Sequence, residues 1–373
     1  MNTAKSLILI LAAAVSMALV SCKENVAPLV IPNAFDATGF DAATATQAAL
    51  KNQLATLSGE MKLGRTGAAL SERILDSAYV SGNPSLQQAA SFYYDGQITG
   101  AGGWFNNLAL SSGGTYTPGA PIGEGGVYGG YLFDENGIEL QQLVEKGLFA
   151  AALYNHAIDV FNAPMTDASP AQLASIFGAH ADFANSDNSS NVANPDVFMA
   201  KYAARRDKND GNGLYTSIKK AFITLQVAIA AGEDYNSERD QAISDIKILW
   251  EKANAATVIN YCHSAISKLS QTNPSDEDKA SALHAYSEAV GFLSGWYEIT
   301  AFNKQITDIE ISEILTLMNA SPNAIPTSYM FVTDPVNELP KLTQAIDRLK
   351  SIYGFTDQEI EDFKQNWVSV QGR

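Results

Sequence analysis

Apolar positions recur at three- and four-residue steps over most of this chain, and one such run organises the rest. From Asn136 to Pro164 the sequence NGIELQQLVEKGLFAAALYNHAIDVFNAP covers about seven helical turns with no internal proline. Ile138, Leu140, Leu143, Val144, Gly147, Ala151, Tyr154, Ile158 and Phe161 form one broad apolar face. The opposite face reads Glu145, Phe149, Ala152, His156, Asp159, too apolar for a solvated side. A helix patterned in this way is buried on both faces, and its mixed side is where an internal polar site is expected.

The same periodicity places helices over Phe40–Lys62, Thr66–Tyr79 and Leu86–Tyr94 before the central run. After it come helices from Ser169 to about His180, then over Pro195–Arg206, Leu214–Ala231, Asn236–Leu269, Asp278–Asn303 and Ile309–Asn319. Leu339–Tyr353 and Asp357–Trp367 close the chain, with Gly354 as the stop between them. Asp182 to Asp196 reads as a polar, Asn-rich surface loop, and Asn209-Asp210-Gly211-Asn212-Gly213 lacks the acidic and glycine positions of an EF-hand. Gly96 to Gly130 is glycine-rich and reads as a long excursion rather than a helix. The pattern predicts an all-α, multi-helix fold of two packed bundles with a long Gly-rich loop. Its pseudo-halves span about 35–181 and 195–319, and the C-terminal helices lie in 339–367.

The first residues carry a different signal. Lys5, the apolar run Leu7 to Val20 and the tetrad Leu19-Val20-Ser21-Cys22 form a secretory signal ending in a lipobox, with Cys22 as the acylated residue. The run is shorter than the ~20 apolar residues a membrane span requires. Residues 1–21 are thus expected to be a signal peptide and 22–34 a tether to a helical body over 35–373. The expected location is the outer membrane, held by lipid, on its periplasmic or cell-surface side. Lys23-Glu24-Asn25 weakly resembles a surface-export signal.

Net charge of −16 speaks against binding nucleic acid through a basic patch. One cysteine beyond Cys22, Cys262, leaves no internal disulfide, and its helical context reads as core.

Candidate chemistry falls into three groups. His156 and Asp159, three apart, are neighbours on one helix surface and the candidate ligands of a divalent metal. His284 and Glu288, four apart, share a stripe with Ser281, Gly291 and Gly295, whose missing side chains let another helix or a ligand approach. Glu139, Gln142 and Lys146 form a third polar stripe, able to bond across the core. With His284 and Glu288 they are the candidate ligand-binding residues. The two His–carboxylate pairs are expected to face each other where the halves meet, and Trp104 or Tyr128 to cover the Glu139–Gln142–Lys146 stripe. His180 and His263 read as a helix end and a core residue. No Gly-x-Ser-x-Gly elbow, phosphate-cradling Gly-x-x-x-x-Gly-Lys loop or His-Glu-x-x-His zinc signature occurs.

Several of these segments resemble a known family. Asn136-Gly137, Glu139, Gln141-Gln142, Glu145-Lys146-Gly147 and Ala150, with Leu283-His284-Ala285, Ser287-Glu288-Ala289 and Gly291-Phe292, resemble a domain-of-unknown-function family of Gram-negative bacterial lipoproteins. More distantly the chain resembles the imelysin group. That resemblance implies two helical bundles at a bacterial surface, an association with iron uptake and, for some members, a metallopeptidase label. The group's Gly-x-His-x-x-Glu motif is matched here by Tyr154 to Asp159, with Tyr154 in the glycine position and Asp159 in that of the glutamate. The expected function is that of a non-enzymatic lipoprotein capturing a ligand, metal or protein partner between two bundles. The alternative is a metallopeptidase using His156 and Asp159.

Overall fold

A computed structural model describes residues 26–120, 123–301, 304–322 and 324–373. The signal peptide and Cys22 lie outside the described residues. Helices make up the body, as the periodicity predicts, and Leu214–Ala231 and Asn236–Leu269 have the expected ends. The 34-residue Asn236–Leu269 helix packs along Leu214–Ala231 on one side and Asp276–Ser294 on the other. Asp276–Ser294 in turn lies along Leu140–Leu148, the first part of the central run. One hydrophobic core extends from Phe35 to Val368 and passes through both pseudo-halves. Cys262 is buried in it, and burial pushes its thiol up to about 12.

Several helix starts are set by reciprocal side-chain caps. Ser275 with Asp278, Thr307 with Glu310 and Thr356 with Glu359 each satisfy two otherwise unpaired N–H groups. Capping by Ser275 starts the long helix two residues before the expected Asp278. It ends at Ser294, well short of Asn303.

Up to Tyr154 the central run is enclosed on both faces, with Phe149 and Ala152 of the mixed side as buried as Val144 and Ala151 of the apolar side, but beyond it the mixed side opens: His156 is half-buried and Asp159 exposed. Two further details differ from the expectation. Helix begins at Leu140 rather than Asn136, because the Asp134 carboxylate accepts from the N–H groups of Asn136 and Ile138 and holds them in a turn. Between Leu140–Leu148 and Asn155–Asn162 the chain also widens into a π-helical segment, Phe149–Tyr154.

The glycine-rich stretch is more ordered than its composition suggests. Trp104–Ser111 is an eight-residue helix, because the glycines at 102, 103, 113 and 114 flank it and none falls inside. Strands β1 (Gly125–Tyr128) and β2 (Tyr131–Asp134) then pair antiparallel, with Tyr128 opposite Tyr131. Gly129 and Gly130 form the two-residue turn with φ of 55° and 85°, the left-handed conformation that matches strand twist in a tight hairpin. Tyr116 and Phe133 anchor the hairpin on Ala280 and Leu283 of the Asp276–Ser294 helix.

A glycine contact sets how closely the two site-bearing helices approach. A Cβ at Gly291 would lie 2.8 Å from the carbonyl oxygen of Gln142, and one at Gly295 would press into the backbone of Gly147. The Gly291–Gly295 stripe therefore admits a neighbouring helix, one of the two occupants its sequence allows.

Candidate ligand-binding cleft

Glu139 is the keystone of the polar interior. It sits just before the first turn of Leu140–Leu148 and is 0% exposed. Its N–H donates to Ser287 Oγ at 2.9 Å. Its carboxylate takes Arg65 Nε at 2.7 Å on one oxygen and His284 Nδ1 at 2.5 Å on the other. Arg65 comes from the short 3-10 turn Leu63–Thr66 that ends the first long helix, so three separate elements converge on one carboxylate. The His284 ring stacks on Tyr131 with centroids 4.4 Å apart, and the Arg65 guanidinium lies 5.1 Å from that same ring. The covering residue is thus Tyr131, neither of the expected two. Tyr128 donates to Asp276, and Trp104 packs edge-on against Tyr94.

Two turns on, Lys146 is almost enclosed, with 6% of its side chain exposed. Its ammonium donates to Glu145 at 2.6 Å, lies 3.5 Å from Glu288, and sits 5.5 Å from the ring centres of Phe149 and Tyr202. Burial alone would lower the lysine, but Glu145 and Glu288 outweigh it and raise the ammonium above its ordinary range. Burial would likewise raise Glu145, yet Lys146 and Lys62 beside it, with bonds from Lys146 and Ser58, bring it down to about 2. Both groups are therefore charged at neutral pH.

Glu288 is held more loosely. Lys146 and His284 stand at 3.5 and 3.7 Å from its two oxygens, beyond good hydrogen-bond distance. Gln142, with its amide nitrogen turned toward Glu288, donates to it at 3.1 Å and accepts from Arg65 at 2.7 Å. Tyr261 lies beside Glu288. Burial, then the neighbouring Tyr202 and Glu288, hold its phenol well above the ordinary range, so it remains a neutral donor.

These groups line an open cleft of about 690 Å³ between the Ala45–Lys62, Leu140–Leu148, Phe198–Arg206, Asn236–Leu269 and Asp276–Ser294 helices. Lys62, Arg65, Lys146, Lys201 and Arg205 line it together with Glu145, Asp187, Asp196 and Glu288. A chain carrying 24 basic and 40 acidic residues thus gathers a slight excess of cations in one place.

Of the candidate ligand-binding residues, Gln142, Lys146, His284 and Glu288 all reach this cleft, and Glu139 fastens its floor. His156 and Asp159 do not. His284 and Glu288 lie against the start of the central helix, and His156 is about 15 Å farther along the axis from Lys146. The two His–carboxylate pairs consequently do not face each other. Asp159 is 83% exposed, its oxygen 3.9 Å from His156 Nδ1, and no third His, Cys, Asp or Glu among the described residues joins them into a metal-binding group. Burial lowers the His156 imidazole, and its Nε2 has no partner among the described residues. His180 lies between Asp41 and Asp182, at 3.6 and 3.3 Å. His263 lines a second, basic pocket.

Asp196, on the cleft wall, accepts from Tyr215 at 2.6 Å and from the Ser186 N–H at 2.9 Å, but burial pushes its carboxyl up to about 7. Folding therefore favours its protonated form. Its contribution to stability is greatest below the unfolded value of 3.8 and is lost as pH rises through about 7. In thermal melts the difference between the wild type and Asp196→Asn should shift in favour of the wild type as pH falls from 8 to 5. A difference independent of pH would contradict this.

The molecule is thus an all-α protein with a charged, partly enclosed cleft among its longest helices. Residues 175–321 match the family of a domain of unknown function, DUF4856. The matched region contains His284, Glu288 and both site glycines, whereas Glu139, Gln142 and Lys146 lie before it. No curated protein and no solved structure matches the chain.

Proposed function

We propose that this protein is a non-enzymatic binding lipoprotein that captures a small zwitterionic molecule, such as a free amino acid or short peptide, in the cleft. The observation that carries this reading is Glu288. It is a buried carboxylate lining open space, and its own protein cations stand beyond good hydrogen-bond range. A ligand ammonium completes its coordination, while Lys62 and Lys201, 47% and 36% exposed at the rim, receive a ligand carboxylate. Tyr202 and Tyr261 supply an aromatic wall beside them.

Calorimetric titration with a panel of amino acids and dipeptides tests the reading. Saturable binding is expected, weakened about ten-fold or more in Glu288→Gln through loss of one charge-assisted bond. Absence of binding across the panel, or an unaffected Glu288→Gln protein, would overturn it.

The same proposal holds the protein to the outer membrane through a lipid on Cys22, with no nucleic-acid partner for so acidic a chain. Among the described residues no helix is long and apolar enough to cross a membrane. Cys22→Ala should move the protein out of the membrane fraction, and unchanged fractionation would refute the anchor.

A further inference from the structure

Behind the cleft, across a wall made by Arg205 and Tyr261, lies a second pocket of about 710 Å³ with a different chemistry. Its walls come from the end of the Phe198–Arg206 helix, the last turns of Asn236–Leu269, and the turn around Lys364 between the two C-terminal helices. Arg205, Arg206, Lys268 and Lys364 line it, and none of its lining residues is an aspartate or glutamate. On a chain of net charge −16 such a composition needs a reason.

Two of the four cations are already neutralised. Arg205 pairs with Asp187 at 2.6 Å, and Lys364 with Glu361 at 2.6 Å. The other two are not: among the described residues neither Arg206 nor Lys268 has a carboxylate within ion-pair distance. Arg206 is only 6% exposed. Among the described residues it makes one hydrogen bond, from Nη1 to the carbonyl of Phe363 at 2.8 Å, and its buried Nε finds no partner. Arg206 also borders a smaller pocket holding Asp210, Glu359 and Asp362, none of them within ion-pair distance, so its buried charge is only partly compensated, which native structures avoid unless something supplies the rest. Nearby, His263 presents a buried Nε2 that also lacks a partner among the described residues. Asn260 donates to the same Phe363 carbonyl at 2.7 Å, so the turn is tied down and the pocket is built in advance.

We infer that this pocket is a binding site for a dianionic oxyanion of the phosphate type, taken either as the free ion or as the phosphate group of a small monoester. Two positive charges without a direct ion-pair partner match one dianion. The guanidinium fork of Arg206 presents directional donors to tetrahedral oxygens, and Lys268 adds a point charge at the edge.

Titration of the full chain with inorganic phosphate, and separately with a sugar phosphate, at constant ionic strength tests the inference. One saturable site is expected for at least one of the two probes, and the tighter identifies the source. Lys268→Glu, at a partly exposed position that leaves the core intact, should weaken binding about ten-fold or more while the protein keeps its cooperative melting transition. Lys201→Glu, on the other cleft, should leave phosphate affinity unchanged. Lack of saturable binding by either probe, or loss of binding in Lys201→Glu with Lys268→Glu unaffected, would overturn the assignment. These readings are independent of amino-acid binding at Glu288.

Discussion

Glu139→Ala should cost about 3–5 kcal/mol of folding stability, the amount expected when one member of a buried charge network is removed and its partners are left behind. The deleted carboxylate is completely enclosed, and it joins the Arg65 turn, the start of the central helix and His284 of the Asp276–Ser294 helix. Arg65 would keep Gln141 but lose its counter-charge, and His284 would lose the short bond that holds its Nδ1. An exposed pair gives the reference. Glu313→Ala, which breaks the half-exposed contact with Arg348, should cost no more than about 1 kcal/mol. Urea unfolding of both variants measures the contrast. A Glu139→Ala loss as small as that of Glu313→Ala would mean that the network does not hold these elements together.

Gly147→Val should be at least as damaging, for a steric reason. A Cβ at Gly147 would run into the Tyr94 hydroxyl and ring, while Gly295 presses against the other side of the same backbone. Neither neighbour can yield cheaply. Tyr94 is fully buried and donates to the Leu143 carbonyl at 2.6 Å, and Gly295 caps the end of the Asp276–Ser294 helix directly against the Gly147 backbone. Overpacking and the lost buried hydrogen bond together should cost about 3–5 kcal/mol. Gly59→Ala serves as the control. That glycine is exposed in a helix with nothing near its missing Cβ, so alanine should stabilise by about 0.5–1 kcal/mol. Expression and melting temperature of the two variants decide the matter, and a well-folded Gly147→Val protein would contradict the close helix contact.

The polar interior was legible in part because helical spacing is a local property. Glu139, Gln142 and Lys146 fall on one stripe, and His284 and Glu288 on another, so each set could be read from its own segment. That the two stripes meet each other, while His156 and Asp159 are left aside, depends on how far along each helix the contact falls, which spacing does not encode. Arg65 reaches Glu139 across 74 positions through a 3-10 turn that no periodic signal announces. Lys201, Arg205 and Asp187 were invisible for the same reason, since each contributes to the cleft through tertiary approach alone.

Tyr131 is a different case. Val127-Tyr128-Gly129-Gly130-Tyr131-Leu132 carries a recognisable hairpin signal, two glycines between strand-forming residues, and it was masked by the glycines around it. The flanking role of Gly102, Gly103, Gly113 and Gly114 hid the Trp104–Ser111 helix in the same way. The π-helical segment at Phe149–Tyr154 has no counterpart in the residue pattern, which runs through it unbroken.

The central claim is that the cleft between these helices holds the ligand, and hydrogen–deuterium exchange with and without a bound amino acid or dipeptide tests it most directly. The expected result is slower exchange on ligand addition over Ser58–Arg65, Gln142–Phe149 and His284–Glu288, with Asn155–Asn162 unchanged. Protection confined to the Asn155–Asn162 helix around His156, or no change at the cleft under saturating ligand, would contradict it.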